Sequence, residues 1–180
     1  MTGLPLVWGA TDDEVARRYP ADEMYDGPTM ALTRAVSVAA RADLTYRWLC
    51  QVAVAPYSYD LLDNWGRRSP TTLTPGADAL AVGQLVEVFT LTEVEPGHQW
   101  TGRTEGGPRR VFGDLTATYA AEPDPSVGPD ASRLLCRIVL VAESRPARAR
   151  AHALAWGDLV MMRKQFRTLK SLAERDARGL

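Results

Sequence analysis

Apolar residues recur at every second position through the middle of the chain and at helical spacing through its last thirty residues. The pattern therefore predicts a sheet followed by one long helix, from Arg148 to Arg178. With Leu154 set at 0° and about 100° per residue, Met161, Gln165 and Leu172 fall within about 20° of it, Asp158 near 40° and Leu169 near 60°. Met162, Ala173, Phe166 and Leu159 widen this apolar arc, while Arg163, Lys164, Arg167, Lys170, Ser171 and Glu174 take the other side. The helix is expected to cover a core, with Asp158 beneath it, where an ionised carboxylate needs a partner or a neutralised state. Trp156 and Val160 fall outside the arc, at about 200° and 240°, so something else must cover the first turns. The apolar arm around Trp8 is one candidate and a second subunit, making a homodimer, is the other.

Residues 1–29 read as an arm with one helical turn, since Thr11 and Glu14 stand at capping-box spacing and Pro20 stops the turn. Alternation from Ala31 to Ala39 predicts a first strand, in which Arg34 shares the parity of Leu32, Val36 and Val38. A helix is expected over Ala42–Val52, and a short one from Ser58 to Gly66. The stretch from Arg67 to Gly83 is too rich in Pro and Gly for more than one strand fragment. Period two then returns over Gln84–Val94, Gln99–Thr104, Arg110–Ala121 and Ser132–Ala142, separated by Glu95-Pro96-Gly97, Gly106-Gly107-Pro108 and the turn-rich 122–130. In the last strand Leu134, Cys136, Ile138 and Leu140 face one way and Arg133 and Arg137 the other. Glu87 shares parity with Leu85, Phe89 and Leu91, which leaves the inward face of that strand open.

This order, strand, helices, meander and long helix, predicts an α+β domain in which a curved antiparallel sheet wraps the C-terminal helix. At 180 residues and 46% hydrophobic content, residues 1–180 fit a single domain with a sizeable core. Lys plus Arg number 21 against 22 Asp plus Glu, a net charge of −1, so there is no field to attract nucleic acid or an anionic bilayer. No apolar run is long enough to span a membrane and Met1–Ala10 lacks a basic secretory start, which suggests a cytoplasmic protein. Cys50 and Cys136 lie far apart in apolar settings and read as free thiols. His98 and His152 have no metal-ligand spacing, and Gly102, Gly106 and Gly107 lie between strands, not between strand and helix, so neither a metal nor a nucleotide cofactor is expected.

Several stretches carry a resemblance. They are Ala55-Pro56-Tyr57-Ser58-Tyr59-Asp60-Leu61-Leu62-Asp63-Asn64-Trp65-Gly66-Arg67-Arg68-Ser69-Pro70 and Ala155-Trp156-Gly157-Asp158-Leu159-Val160-Met161-Met162-Arg163-Lys164-Gln165. Phe112-Gly113-Asp114-Leu115 with Thr118-Tyr119, and the arm's Trp8-Gly9-Ala10-Thr11, are similar too. From about residue 8 to residue 176 the chain resembles the START/Bet v1-like superfamily, also called SRPBCC or the polyketide cyclase/dehydrase and lipid-transport group. The resemblance implies the helix-grip fold, a seven-stranded sheet gripping the last helix around a cavity for hydrophobic small molecules. Five strands are clear in the pattern, so 67–83 or 84–94 would have to supply the others. Members carry lipids, sterols or hormones, and some cyclise or dehydrate polyketide chains; the fold does not choose among these.

Asp158 has two readings. It is either a desolvated general acid or base facing a ligand, or the partner of Arg34 or of the Arg67-Arg68 loop. Tyr57, Tyr59, Asp60, Asn64, Arg67 and Arg68 gather polar groups beside Trp65. That mixture suits the mouth of a ligand site, and equally a hydrogen-bonded corner serving the backbone. Trp48, Phe112, Tyr119, Met161, Met162 and Gln165 are candidate wall residues, or ordinary core. Three functions follow: a cyclase or dehydratase in which Asp158, Tyr59 or Glu87 moves protons; a carrier for a lipid or metabolite; and an interaction domain whose cavity is filled.

Overall fold

The alternating segments fold into one seven-stranded sheet, and the N-terminal arm supplies an edge of it. In the computed structural model, which describes residues 3–58 and 68–179, the strands are β1 (Val7–Trp8), β2 (Thr29–Val38), β3 (Leu85–Val86), β4 (Phe89–Glu95), β5 (Gln99–Arg103), β6 (Leu115–Pro123) and β7 (Ser132–Val141). Their order is β1-β2-β7-β6-β5-β4-β3. β1 runs parallel to β2 and the remaining neighbours pair antiparallel. The helices are α1 (Asp12–Ala16), α2 (Ala42–Cys50), α3 (Gly106–Phe112) and α4 (Arg145–Ala177). The second short helix expected from Ser58 to Gly66 lies almost wholly outside the described residues.

The caps agree with the sequence. Thr11 and Glu14 form the reciprocal capping box of α1. Ser144 caps α4 by accepting the Ala147 N–H, and Pro146 sits in the first turn, where its missing N–H costs nothing. The 33 residues of α4 span about 50 Å at 1.5 Å per residue. It begins three residues before the periodicity does, because Arg145 to Arg150 is an Ala/Arg run with no apolar stripe to mark it.

Two strands beyond the five expected bring the count to seven, β1 in the arm and β3 within 84–94. The stretch 84–94 is not one strand: a two-residue turn at Glu87-Val88 folds it into the β3–β4 hairpin, with Val86 opposite Phe89. Glu87 takes the positive φ of 53° that such a turn requires. Parity across the turn is thereby broken, and Leu85, expected to share a face with Phe89, is 61% exposed. Likewise 110–121 is not all strand. Gly106-Gly107-Pro108, expected as a turn, opens α3 instead, and Gly113 at a φ of 85° ends it before β6 begins.

The inner face of the sheet carries Leu32, Leu91, Trp100, Ala117, Tyr119, Leu134, Cys136, Ile138 and Leu140. They share one core with Ala151, Ala155, Met162, Phe166, Leu169 and Ala173 of α4. The outer face is covered by the arm, where Tyr19 packs on Ala35 and Leu135 and ion pairs join Arg133 to Glu14 and Arg137 to Asp22. A bulge at Leu91/Glu93 bends β4. Opposite it, Gly102 lets the strands approach, since a Cβ there would lie 2.9 Å from the Thr90 carbonyl oxygen.

Candidate functional site

A bent sheet and a straight helix cannot touch along their whole length. Where they part, between Ala153 and Gln165 of α4, a cavity of about 670 Å³ remains. Its apolar wall comes from every layer: Leu32 on β2, Val52 to Pro56 after α2, Phe89 on β4, Phe112 on α3, Leu115 on β6, Ile138 and Leu140 on β7, and Leu154 and Met162 on α4. Val54 and Met161 line the cavity while staying 45% and 41% exposed, which marks where it opens. Among the described residues the polar lining comes from Ser58, Glu87, Tyr119, Asp158 and Gln165.

Asp158 is fixed by Arg34. The guanidinium approaches one carboxylate oxygen, Oδ2, with Nε at 3.0 Å and Nη2 at 2.9 Å. Arg34 is fully buried, and its remaining contacts are to backbone carbonyls: Nη1 donates to Leu6 and Thr33, Nη2 to Ala155. The Asp158 side chain keeps 20% of its surface, although it lies deep in the fold beside a wholly buried partner; that surface faces the cavity it lines. Burial pushes its carboxyl up to about 6, and the nearby guanidinium only partly opposes this. Of the two partners open in the sequence, Arg34 is the one found; Arg68 is exposed on the surface, and Arg67 lies outside the described residues.

Gln165 bridges two segments of the rim. Its Nε2 donates to the Pro56 carbonyl at 2.7 Å and to Glu87 Oε1, tying α4 to the segment after α2 and to the β3–β4 turn. These two acceptors identify the amide nitrogen and leave Oε1 buried without a hydrogen bond. Tyr119 donates to the Met162 sulfur at 3.4 Å and stacks on Trp100 with centroids 4.4 Å apart. Burial raises its phenol well above the ordinary range.

Among the residues singled out from the sequence, Glu87, Phe112, Tyr119, Asp158, Met161, Met162 and Gln165 come together on this wall. Trp48 stands elsewhere, in the core, donating its Nε1–H to Asp176 at 3.0 Å and meeting Tyr57 edge to face. Tyr59, Asp60, Asn64, Trp65 and Arg67 lie outside the described residues. Trp156 and Val160 stay exposed, at 53% and 52%, despite the arm around Trp8. Trp8 lies under Arg163 and Arg167, with their guanidinium carbons 5.5 and 5.9 Å from its ring centroid. Among the described residues no group of three His, Cys, Asp or Glu could hold a metal ion, and no helix is long and apolar enough to cross a membrane.

No family model and no curated protein sequence matches the chain. Solved structures do. Norcoclaurine synthase from Thalictrum flavum, in complex with dopamine and hydroxybenzaldehyde, aligns at 14% identity with a TM-score of 0.52, over 82% of this chain and 88% of that one. The di-domain ARO/CYC StfQ from the steffimycin biosynthetic pathway aligns at 15% identity and a TM-score of 0.50, over 84% of this chain and 52% of that one. The chain has the Bet v1-like, helix-grip fold. Much of the wall of this helix-grip fold was not anticipated from the sequence, including Val52, Val54, Leu154 and Gly157. Gly157 carried a usable signal, since a glycine in the middle of a helix beside an inward carboxylate marks a place where bulk is absent.

Proposed function

We propose that the protein binds a hydrophobic or aromatic small molecule in the cavity between α4 and the sheet. The observation that carries this reading is the cavity itself. About 670 Å³ with apolar walls and a few polar groups is the size and chemistry of a small-molecule site, whereas a domain built only for interaction would close that space. Norcoclaurine synthase and the ARO/CYC protein, which share the fold, are named for work on small molecules and support the same direction. The reading takes residues 1–180 as one cytoplasmic domain.

Titration with the neutral apolar fluorophore Nile red, alongside native mass spectrometry of the purified protein, tests it. One site per chain is expected, with at least tenfold weaker binding in Leu154→Trp, which puts an indole into the cavity. Saturable binding that Leu154→Trp leaves unchanged would place the dye elsewhere and sink the proposal.

A second reading, cyclase or dehydratase chemistry, is favoured by one specific observation. Asp158 has a carboxyl pushed up to about 6 and a surface on the cavity, so it is placed to take or give a proton near neutral pH. Under it, turnover of an unsaturated polyketide-like substrate would rise with pH through about 6 and vanish in Asp158→Asn. A carrier would bind the same compound and return it unchanged.

A further inference from the structure

Resting on the cavity-binding reading, we infer that the guest is an uncharged or cationic molecule bearing a hydrogen-bond donor, such as a phenol, an alcohol or an amine, and that anionic apolar molecules such as free fatty acids are excluded. The distribution of donors and acceptors on the wall carries this. The hydrogen bonds to Asp158 all fall on Oδ2, which leaves Oδ1 without one among the described residues, on a side chain whose accessible surface faces the cavity. A carboxylate oxygen in that position accepts a proton-bearing group and repels a second anion.

The neighbouring groups add to this. Glu87 and Gln165 line the same wall, and Gln165, held by its nitrogen, has a buried oxygen lacking a partner. Among the described lining residues there is no Lys, Arg or His. Arg34, the cation behind the wall, is fully buried and each of its three nitrogens is already engaged. Among the described residues no cation is therefore on offer to an anionic head group at this wall, while a donor meets an unused lone pair. Tyr119 is a donor already bound, though only to a thioether, a weak acceptor, and it can turn to an oxygen of the same guest.

A matched series of probes of one shape tests the inference: naphthalene, 2-naphthol and 2-naphthoate, titrated into the full chain near pH 8, where Asp158 is ionised. Binding of 2-naphthol is expected to be at least tenfold tighter than that of naphthalene, with 2-naphthoate the weakest of the three. In Asp158→Asn the ranking of the charged probe should reverse, 2-naphthoate gaining at least tenfold because Arg34 is left without its counter-charge, while naphthalene is unchanged. Should that variant fail to fold, the wild-type series decides alone. If 2-naphthoate binds wild type as well as 2-naphthol does, the inference falls and the cavity reading stands. If none of the three binds, both fall.

Discussion

Two arginine–carboxylate pairs, one on each face of the same sheet, are built from the same chemistry and end in opposite electrostatic states. On the outer face Glu14 is only partly buried. It receives the Thr11 N–H at 2.7 Å and two N–H groups of Arg133, one on each oxygen, both at 2.7 Å. Burial alone would raise its carboxyl, but these charge-assisted bonds prevail and hold it below the usual range. On the inner face Asp158, on the wall of an interior cavity, meets one guanidinium on one oxygen, and there burial prevails. The lesson is that an ion pair does not by itself fix a charge. What decides is how many donors reach the carboxylate against how much water has been removed.

The sharpest way to break that comparison is to remove each arginine in turn. Arg34→Met should cost about 4 kcal/mol in urea denaturation near pH 8, because it strands a buried anion, and clearly less near pH 5, where Asp158 can take up a proton instead. An equal loss at both pH values would mean that Arg34 serves the backbone carbonyls of Leu6, Thr33 and Ala155 more than the carboxylate.

The titration itself gives the next effect. A carboxyl raised from 3.8 to about 6 binds its proton more tightly in the folded than in the unfolded chain, so its contribution is full below about 4 and is lost as pH rises through 6. The stability of wild type minus that of Asp158→Asn should therefore fall by up to about 3 kcal/mol between pH 4 and pH 6. A flat difference would refute the raised carboxyl. Glu14 has the reverse sign. Its contribution is present above its ordinary value of 4.5 and is lost on acidification below it, so Glu14→Gln should matter near neutrality and cease to matter in acid.

Arg133→Met should cost about 2 kcal/mol, the scale of hydrogen bonds to a charged group, with the same value near pH 8 and near pH 5. Smallest is Gly157→Ala. A methyl group there would meet no atom within 4 Å, and replacing a mid-helix glycine should stabilise the protein by roughly 0.5–1 kcal/mol in thermal or urea unfolding, leaving both pairs intact. Destabilisation would show that the open space beside Asp158 is tighter than its geometry indicates.

Legibility in the sequence followed the strength of the local period. α4 and the inner stripe of β7 were readable because burial on one face forces a regular pattern. Asp158 and Arg34 stood out as polar residues sharing an apolar face, so their meeting could be anticipated, though not distinguished from a pairing with Arg67 or Arg68. The β3–β4 hairpin was hidden because its turn is Glu-Val, without the Gly or Asn that usually announces a positive φ. α3 was hidden because Gly-Gly-Pro suits a turn as well as a helix start, and Phe112 reaches the cavity only by way of that helix. The cavity itself is a property of curvature, which arises from the bulge at Leu91/Glu93 and the close approach at Gly102, neither of which has a one-dimensional signature.

The residue just ahead of the arm's short parallel strand anchors chemistry it never touches. Leu6 offers its carbonyl to Arg34 Nη1 at 2.7 Å from 28 positions upstream, so the guanidinium that steadies Asp158 is itself steadied by the N-terminal edge. Without Leu6 the guanidinium would keep three of its four acceptors, Asp158 and the carbonyls of Thr33 and Ala155, but lose its tie to the edge of the sheet.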